Sequence, residues 1–572
     1  MSDADAARAA LADWRSIRVR NPWDDDALLH RVLDRLLGRQ AAGELGHELH
    51  ELGGRLDDGF DERVARCNQD ENLPHVERHD ADGRPIETVV FHPDHHDVGR
   101  VFWGSGALAA LGESGHEVAS GARLYLLDQF GEAGHACPVA CTAGAIRLLR
   151  DVGTDDQRRR FLPPLLDTDY DRRLHAAQFV TEVQGGSDVG RNEVRAVADP
   201  AAPGGWRLYG EKWFCSVADA GLFVVSARPD GAPAGTRGLG LFLVPRTVDG
   251  RPNGFRLRRL KIKLGTRSMP TGEIELDGAA AEPIGPLDGG FRNLVGIVLD
   301  TSRVHNALAA CGMMRRALVD GRAFAAHRIA FDHPIADFPA VQAILARMQV
   351  RTAAAVATTF RLLDQTDRLD TGQGSDALRA ARRIGVMVNK YWTAVHATRV
   401  ARDGIELLGG NGTIEDFSIL PRLYRDTIVI ESWEGTHNTL CAQIVRDFAV
   451  RGLHEPWLDH LADEIAGLSG SDAGDAASVA GRLLEEVGGR IRRLVDADAV
   501  TASSWMRSII DRMAVLTDWV ALATQARWDA EHDVASTLAD VLALYHRLEV
   551  EPRDRLDDPD RLELERRLAS AD

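Results

Sequence analysis

A glutamate set between tryptophan and glycine, in Trp433-Glu434-Gly435-Thr436, stands just before a stretch of helical periodicity. A carboxylate there can serve the positive end of the following helix, or it can act as a general base if a dry setting raises its basicity. A second group of chemistry-bearing residues lies far upstream. Gly185-Gly186-Ser187-Asp188 offers backbone N–H groups and a hydroxyl without side-chain bulk, which suits the polar edge of a bound molecule. Thr181 and Ser216 add hydroxyls, and Trp213 and Phe214 add flat faces on which a heteroaromatic ring can stack. Taken singly, such a glycine turn is most often only a turn, and such a glutamate only a helix-end carboxylate. Their occurrence together is what gives them meaning.

The elements that must position these groups follow from hydrophobic patterning. Residues 1–165 carry apolar residues at helical spacing, as in DDALLHRVLDRLLGRQ, and form an expected N-terminal helical domain. Residues 166–284 change character. Short Val-, Leu-, Ile- and aromatic-rich runs broken by Gly, Pro and Asp predict an antiparallel β-domain. Helical periodicity returns over 285–450, where Leu440, Ile444 and Phe448 repeat along one face. The stretch 468–478 is linker-like, and 451–572 is a further, acidic helical extension. The chain is therefore α+β, with crevices expected between its domains.

Three features carry a family resemblance. QFVTEVQGGSDVGRNEVRA (178–196) with GEKWFCS (210–216), LKIKLGTRSMPTGEIELDG (260–278), and IELLGGNGTIEDFSILPRLYRDTIVIESWEGTHNTL (405–440) resemble the signatures of acyl-CoA dehydrogenases at family spacing. The resemblance implies a helical N-terminal domain, a middle β-domain, a C-terminal four-helix domain and bound FAD. Phe179, Val180, Thr181, Gly186 and Ser187 would line the flavin, Phe214 would take the stacking aromatic position, and Ser216 would meet the ring. Arg328 and Phe331, in HRIAFDHPIADFPAVQAILARM, match residues that reach a neighbouring subunit's flavin; Asp332 and Pro339 depart from the usual Gly and Gln. Glu406, Leu407, Gly409 and Gly410 match the turn that contacts the pyrophosphate of a partner subunit, and Thr436 and Asn438 complete the cofactor-binding set.

In this family the residue matching Glu434 takes the α-proton of an acyl-CoA thioester while hydride passes from the β-carbon to flavin N5. The resemblance assigns that role to Glu434, because the alternative helix, LDTSRVHNAL (299–308), offers Ser302 and no glutamate. Arg303 is matched to an arginine that orients the base. Electrons would pass to an electron-transferring flavoprotein, and the enzyme would be a homotetramer, or at least a dimer.

VVFHPDHHDVGRVFW (89–103), EAGHACPVACTAGAIRLL (132–149) and the extension place the resemblance in the AidB-like branch. That opens a second reading, a flavoprotein that binds DNA and protects against alkylation. Charge argues against it. Leu453–Asp572 holds 13 arginines and no lysine against 25 acidic residues, and Arg490, Arg492 and Arg493 make only a small basic spot. Oxidase or desulfinase chemistry on the same fold is a third reading. The stripe Ile509, Met513, Leu516, Val520 is expected to dock onto the body or another protomer.

The remaining signals read as structure. His92, His95 and His96 lack a second ligand cluster, so no metal is expected. Cys137 and Cys141, one helical turn apart, read as packing. GSGALAALG (104–112) lacks the glycine spacing of a dinucleotide loop. The net charge of −18 disfavours nucleic acid, and no apolar run or leader points to a membrane or to export, so a cytoplasmic protein is expected. Only four of the 68 basic residues are lysine (Lys212, Lys261, Lys263 and Lys390), a bias typical of GC-rich codon usage.

Overall fold

The computed structural model describes residues 3–18, 21–468 and 474–571. Two compact units emerge: Met1–Gly59, Ser114–Gly131 and Asn306–Asp572 form one, and Phe60–Glu113 with Glu132–His305 the other.

The second unit is built on a seven-stranded sheet. Gly272–Pro283, Trp206–Cys215, Arg195–Ala198, Leu222–Pro229 and Gly240–Pro245 pair in that order, and the last returns to the first, which closes a ring. Gly272–Pro283 can serve two neighbours because it bends. Its register with Trp206–Cys215 shifts between Asp277 and Ala279, where Gly278 takes φ +74°. Phe179, Phe223, Val225, Phe242, Leu257 and Ile274 fill the interior.

The sheet differs from the antiparallel arrangement expected. Ala176–Phe179 and Arg195–Ala198 both run parallel to Leu222–Pro229, the first pairing with Leu222 to Val225 and the second with Arg228 and Pro229. They are two pieces of one edge. Between them the chain leaves the sheet over residues 180–194 and then rejoins the same edge, so the Gly-Gly-Ser-Asp turn lies on an excursion from a strand. The N-terminal region also departs from the all-helical expectation. His75–His79 and Pro85–Val90 form a hairpin whose Asp80 carboxylate accepts from the Asp82 and Arg84 amides, both at 2.9 Å. Cys141, on the Ala133–Val152 helix, packs into the β-domain core, and His95 stacks between Phe91 and His135.

The first unit is helical. Pro339–Asp370, Asp376–Leu408, Leu420–Ser432 and His437–Arg451 are joined by His454–Gly467, Gly474–Asp496, Ala499–Glu531 and Leu538–Tyr545 of the extension. Of the linker-like stretch 468–478, residues 469–473 lie outside the described residues. Leu440, Ile444 and Phe448 share one core with Ile509, Met513, Leu516 and Val520, so the extension's stripe docks onto the body of its own chain. At the centre of that core sits a carboxyl group. Asp518 accepts from Thr358 Oγ1 at 2.7 Å, Trp392 Nε1 at 3.0 Å and Tyr545 OH at 3.0 Å, which ties three other helices to Ala499–Glu531. Among the described residues, no helix is long and apolar enough to cross a membrane.

Burial raises the Asp518 carboxyl to about 6, and its three hydrogen-bond donors only partly oppose the rise. An acid that binds its proton more tightly in the folded state loses stability as pH climbs from its unfolded value, 3.8, through its folded one. Relative to Asp518→Asn, the wild-type protein should therefore lose on the order of 2 to 3 kcal/mol between pH 4 and 7, and nothing further above it. Denaturant melts of both proteins across that range check this; parallel pH profiles would refute it.

Candidate active site

The excursion 180–194 is held by a buried ion pair. Lys212, on Trp206–Cys215, donates to Glu182 Oε1 at 2.7 Å, to Ser226 Oγ at 3.2 Å and to the Val180 carbonyl at 3.2 Å. Both charged side chains are sealed from solvent. Burial lowers the Lys212 ammonium from its ordinary value, and Glu182 opposes that shift. Glu182 also accepts from the Glu193 and Val194 amides at the far end of the excursion, and Asn192 Nδ2 donates to the Val180 carbonyl at 2.8 Å. One carboxylate thus closes the loop on itself, and one ammonium fastens it to the barrel.

On this support, the turn presents Gly186, Ser187 and Asp188 to solvent. A Cβ at Gly186 would sit 2.4 Å from Thr181 Oγ1, so only glycine leaves that hydroxyl room. The Thr181 carbonyl accepts from Trp213 N at 2.9 Å, which sets Thr181 beside Phe214, whose ring is 53% exposed. Lys261 Nζ lies 3.4 Å from the Trp213 ring centroid and 4.9 Å from that of Phe214. Ser216 is half-buried and precedes Val217, a β-branched residue held at φ +57°. Phe179 is different. Its ring is fully buried and stacks on Phe223 at 4.7 Å, so it offers a ligand only backbone. Val180 is half-buried. Arg303 is buried on the Leu299–His327 helix, where the neighbouring Ser302 Oγ meets Gln178 Nε2 at 3.1 Å.

In the helical unit, Glu434 occupies the turn between Leu420–Ser432 and His437–Arg451. It takes φ +55°, and Gly435 follows at +101°. Left-handed backbone at glutamate costs on the order of 1 to 3 kcal/mol and persists only where its surroundings over-determine it. Those surroundings are visible. Trp433 Nε1 donates to Asn306 Oδ1 at 3.1 Å, and Lys390 Nζ donates to the Glu431 and Gly435 carbonyls at 3.2 and 3.1 Å. Thr436 holds the N-cap position, yet its hydroxyl meets Thr439 Oγ1 at 2.9 Å rather than a backbone N–H. Asn438 is exposed.

The residues expected to serve a partner subunit point away from the core, with one exception. Phe331 and Asp332, at φ +53° and +66°, form a two-residue hairpin turn, and Phe331 is 89% exposed. Arg328, Glu406, Gly409 and Gly410 are exposed, and nothing lies within 4 Å of a Cβ built at either glycine. Leu407 is buried and packs toward Gly321.

Comparison with known proteins matches this arrangement part by part. Residues 288–448 match the acyl-CoA dehydrogenase C-terminal domain, 177–279 the acyl-CoA dehydrogenase middle domain, and 15–172 the adaptive response protein AidB N-terminal domain. The chain belongs to the acyl-CoA dehydrogenase family. It is 32% identical to acyl-CoA dehydrogenase family member 11 of Caenorhabditis elegans over 453 residues, covering 75% of this chain and 71% of that protein. With the putative acyl-CoA dehydrogenase AidB of Escherichia coli it shares 33% identity over 394 residues, 66% of this chain and 69% of that one. The crystal structure of C. elegans ACDH-11 in complex with C11-CoA superposes with a TM-score of 0.85 at 26% identity, covering 93% of this chain and 91% of that one.

This acyl-CoA dehydrogenase thus sits in the AidB-like branch of an FAD-dependent family. Three positions that sequence reasoning did not single out as supports, Glu182, Lys212 and Lys390, hold its loops. The available signal was the scarcity of lysine. Replacing Lys212 with Met strands Glu182 as a buried, uncompensated charge, which costs about 3 to 5 kcal/mol. Lys212→Met is expected to melt several degrees below wild type and to lose its yellow colour on gel filtration; an unchanged melt and flavin content would show that the pair holds nothing.

Proposed function

We propose that this chain catalyses the FAD-dependent α,β-dehydrogenation of an acyl-CoA thioester, with Glu434 as the base. The observation that carries the reading is the backbone of Glu434, held left-handed at +55° in a turn that neighbouring side chains brace from below. Fixing the backbone in this way sets where the Glu434 side chain leaves the chain, at the end of one helix and the start of the next. The acyl-CoA class is supported by the nematode relative, whose structure carries C11-CoA.

The residues around the Gly186 turn suit a flavin. The Thr181 and Ser216 hydroxyls and the solvent-facing turn at Gly186 and Ser187 supply neutral polar groups, and Phe214 supplies a face for stacking. A flavin held there would supply a hydride acceptor for the substrate's β-carbon. Glu434 takes the α-proton, its own backbone N–H polarises the thioester oxygen, and Arg303 orients the base. In this reading Phe179 and Val180 contribute backbone, Arg328, Phe331, Glu406, Leu407, Gly409 and Gly410 serve a cofactor shared with a second copy, and Thr436 and Asn438 complete the cofactor-binding set. The exposed Phe331 and the open glycines at 409 and 410 support a homodimer or homotetramer. The same reading takes an electron-transferring flavoprotein as the electron acceptor, the cytoplasm as the compartment, and a division into 1–165, 166–284, 285–450 and 451–572.

Anaerobic titration of the purified protein with short, branched, long and aromatic acyl-CoAs tests the central claim. One class should bleach the flavin, and Glu434→Gln should slow that reduction by about 10²- to 10⁴-fold. A flavin that no thioester bleaches would sink dehydrogenation and favour the oxygen-using or desulfinating chemistries.

The structure adds weight against DNA binding. Within the small basic spot, Arg490 pairs with Glu486 at 2.9 Å, Arg492 pairs with Glu455 at 2.9 Å, and Arg493 lies over the Trp505 ring. Little positive charge is left to neutralise phosphate. No mobility shift of duplex DNA is expected at low salt, and a tight, salt-sensitive shift would reverse this conclusion.

A further inference from the structure

The turn that carries Glu434 is gripped from one side by a buried ammonium. Lys390 sits on Asp376–Leu408 with no exposure, and its Nζ reaches the Glu431 and Gly435 carbonyls. The first belongs to the last turn of Leu420–Ser432, where carbonyls lack intrahelical partners; the second lies one residue past the base. One cation therefore spans both sides of the strained residue, and a positive charge at a helix C-terminus is also favoured by the helix dipole.

The next residue extends the grip into the C-terminal extension. Tyr391 OH donates to Asp511, and the Arg507 guanidinium lies 4.8 Å from the Tyr391 ring centroid while donating to Asn438 Oδ1 at 3.3 Å. Both partners come from the extension's Ala499–Glu531 helix. The other edge of Tyr391 meets the His437 ring at 5.0 Å, and His437 Nε2 pairs with Glu431 Oε2 at 2.8 Å. Thr398 donates to the same Glu431 carboxylate. Burial would raise Glu431, yet its hydrogen bonds from His437 and Thr398, with the charges of His437 and Lys390, leave it below its ordinary value and ionised. The residues on either side of Glu434 are thus fixed by a continuous chain of contacts that begins in the extension.

We infer that Lys390 is a positioning residue for Glu434, and that Arg507 and Asp511 of the extension complete the brace through Tyr391. None of the four is assigned a contact with the reacting atoms. Their effect is to hold the carboxylate where the α-proton will be, and geometric error of about 1 Å at such a group lowers a rate by about 100-fold. The inference rests on Glu434 being the base.

The test uses FAD-loaded holoenzyme and whichever of the C4, C8, C11 and C16 acyl-CoAs reduces the wild-type flavin fastest. Lys390→Met should slow flavin reduction at saturating substrate by about 100-fold, and Tyr391→Phe and Arg507→Ala by about tenfold, with KM within twofold of wild type. Arg493→Ala, on the same extension but off the brace, should leave the rate unchanged. Amide hydrogen exchange over residues 433–438 should quicken in the three brace variants when they are compared with wild type at equal flavin occupancy. In a Glu434→Gln background the same substitutions should cost nothing further, because they act through the carboxylate.

Rates within twofold of wild type and unaltered exchange in Tyr391→Phe and Arg507→Ala, which leave the buried ammonium in place, would overturn the inference. Equal losses in the Glu434→Gln background would also overturn it. If Glu434→Gln itself reduces flavin at the wild-type rate, the base assignment fails and the positioning role falls with it, while the exchange measurement still reports whether the brace holds the turn.

Discussion

A lysine ammonium enclosed by protein and held by converging fixed oxygens is the interaction on which the two chemistry-bearing loops depend. Such a group is expensive to bury, so it remains only where several fixed oxygens replace its water. Lys212 and Lys390 both meet this condition, the first beneath the excursion from the barrel edge and the second beneath the turn between two helices. Arginine could not take either place. Its planar fork directs donors to one side in a fixed pattern, whereas an ammonium is compact and points three donors to converging oxygens. Against a composition that has replaced nearly every lysine, the survivors are found where shape forbids the exchange. Lys263 follows the same logic, with its ammonium on the Met269 carbonyl and the Thr271 hydroxyl.

Much of this was legible in the chain itself. The alternation of α and β regions, the glycine turn and the Trp-Glu-Gly-Thr segment are local patterns, and the structure keeps the alternation apart from one hairpin in the N-terminal region. What was hidden depends on pairing at a distance. The mixed sheet could not be read from strand-like runs, because whether a strand runs parallel is decided by where the chain rejoins the edge after residue 194. The His75–Val90 hairpin did carry a signal, an Asp-Gly turn between two alternating runs, but a short hairpin among helices is easily absorbed into them.

The site residues divide in a similar way. Residue type was enough to single out Gly186, Phe214 and Glu434 as candidates. It was not enough to separate Phe179 and Leu407, which carry aromatic and aliphatic bulk into the core, from neighbours that face outward. Supports are harder still to see. Nothing adjacent in sequence links Lys390 to residue 435 or Asp511 to Tyr391; helix packing alone brings them together. Backbone strain was equally invisible, since no residue code announces that Val217, Phe331 and Glu434 take the left-handed form.

The extension's place in the core also bears on how the chain can be divided. Its apolar stripe shares one interior with Leu440, Ile444 and Phe448, and the Asp518 carboxyl has hydrogen-bond donors on both sides of residue 450. A polypeptide stopped at 450 would present Trp392 and Phe448 to water and leave the Thr358 and Trp392 donors without their acceptor. Homologues that lack such an extension must therefore carry a different outer face on the matching helices. The tail and that face form a single heritable unit: neither can be gained or shed without rewriting the other.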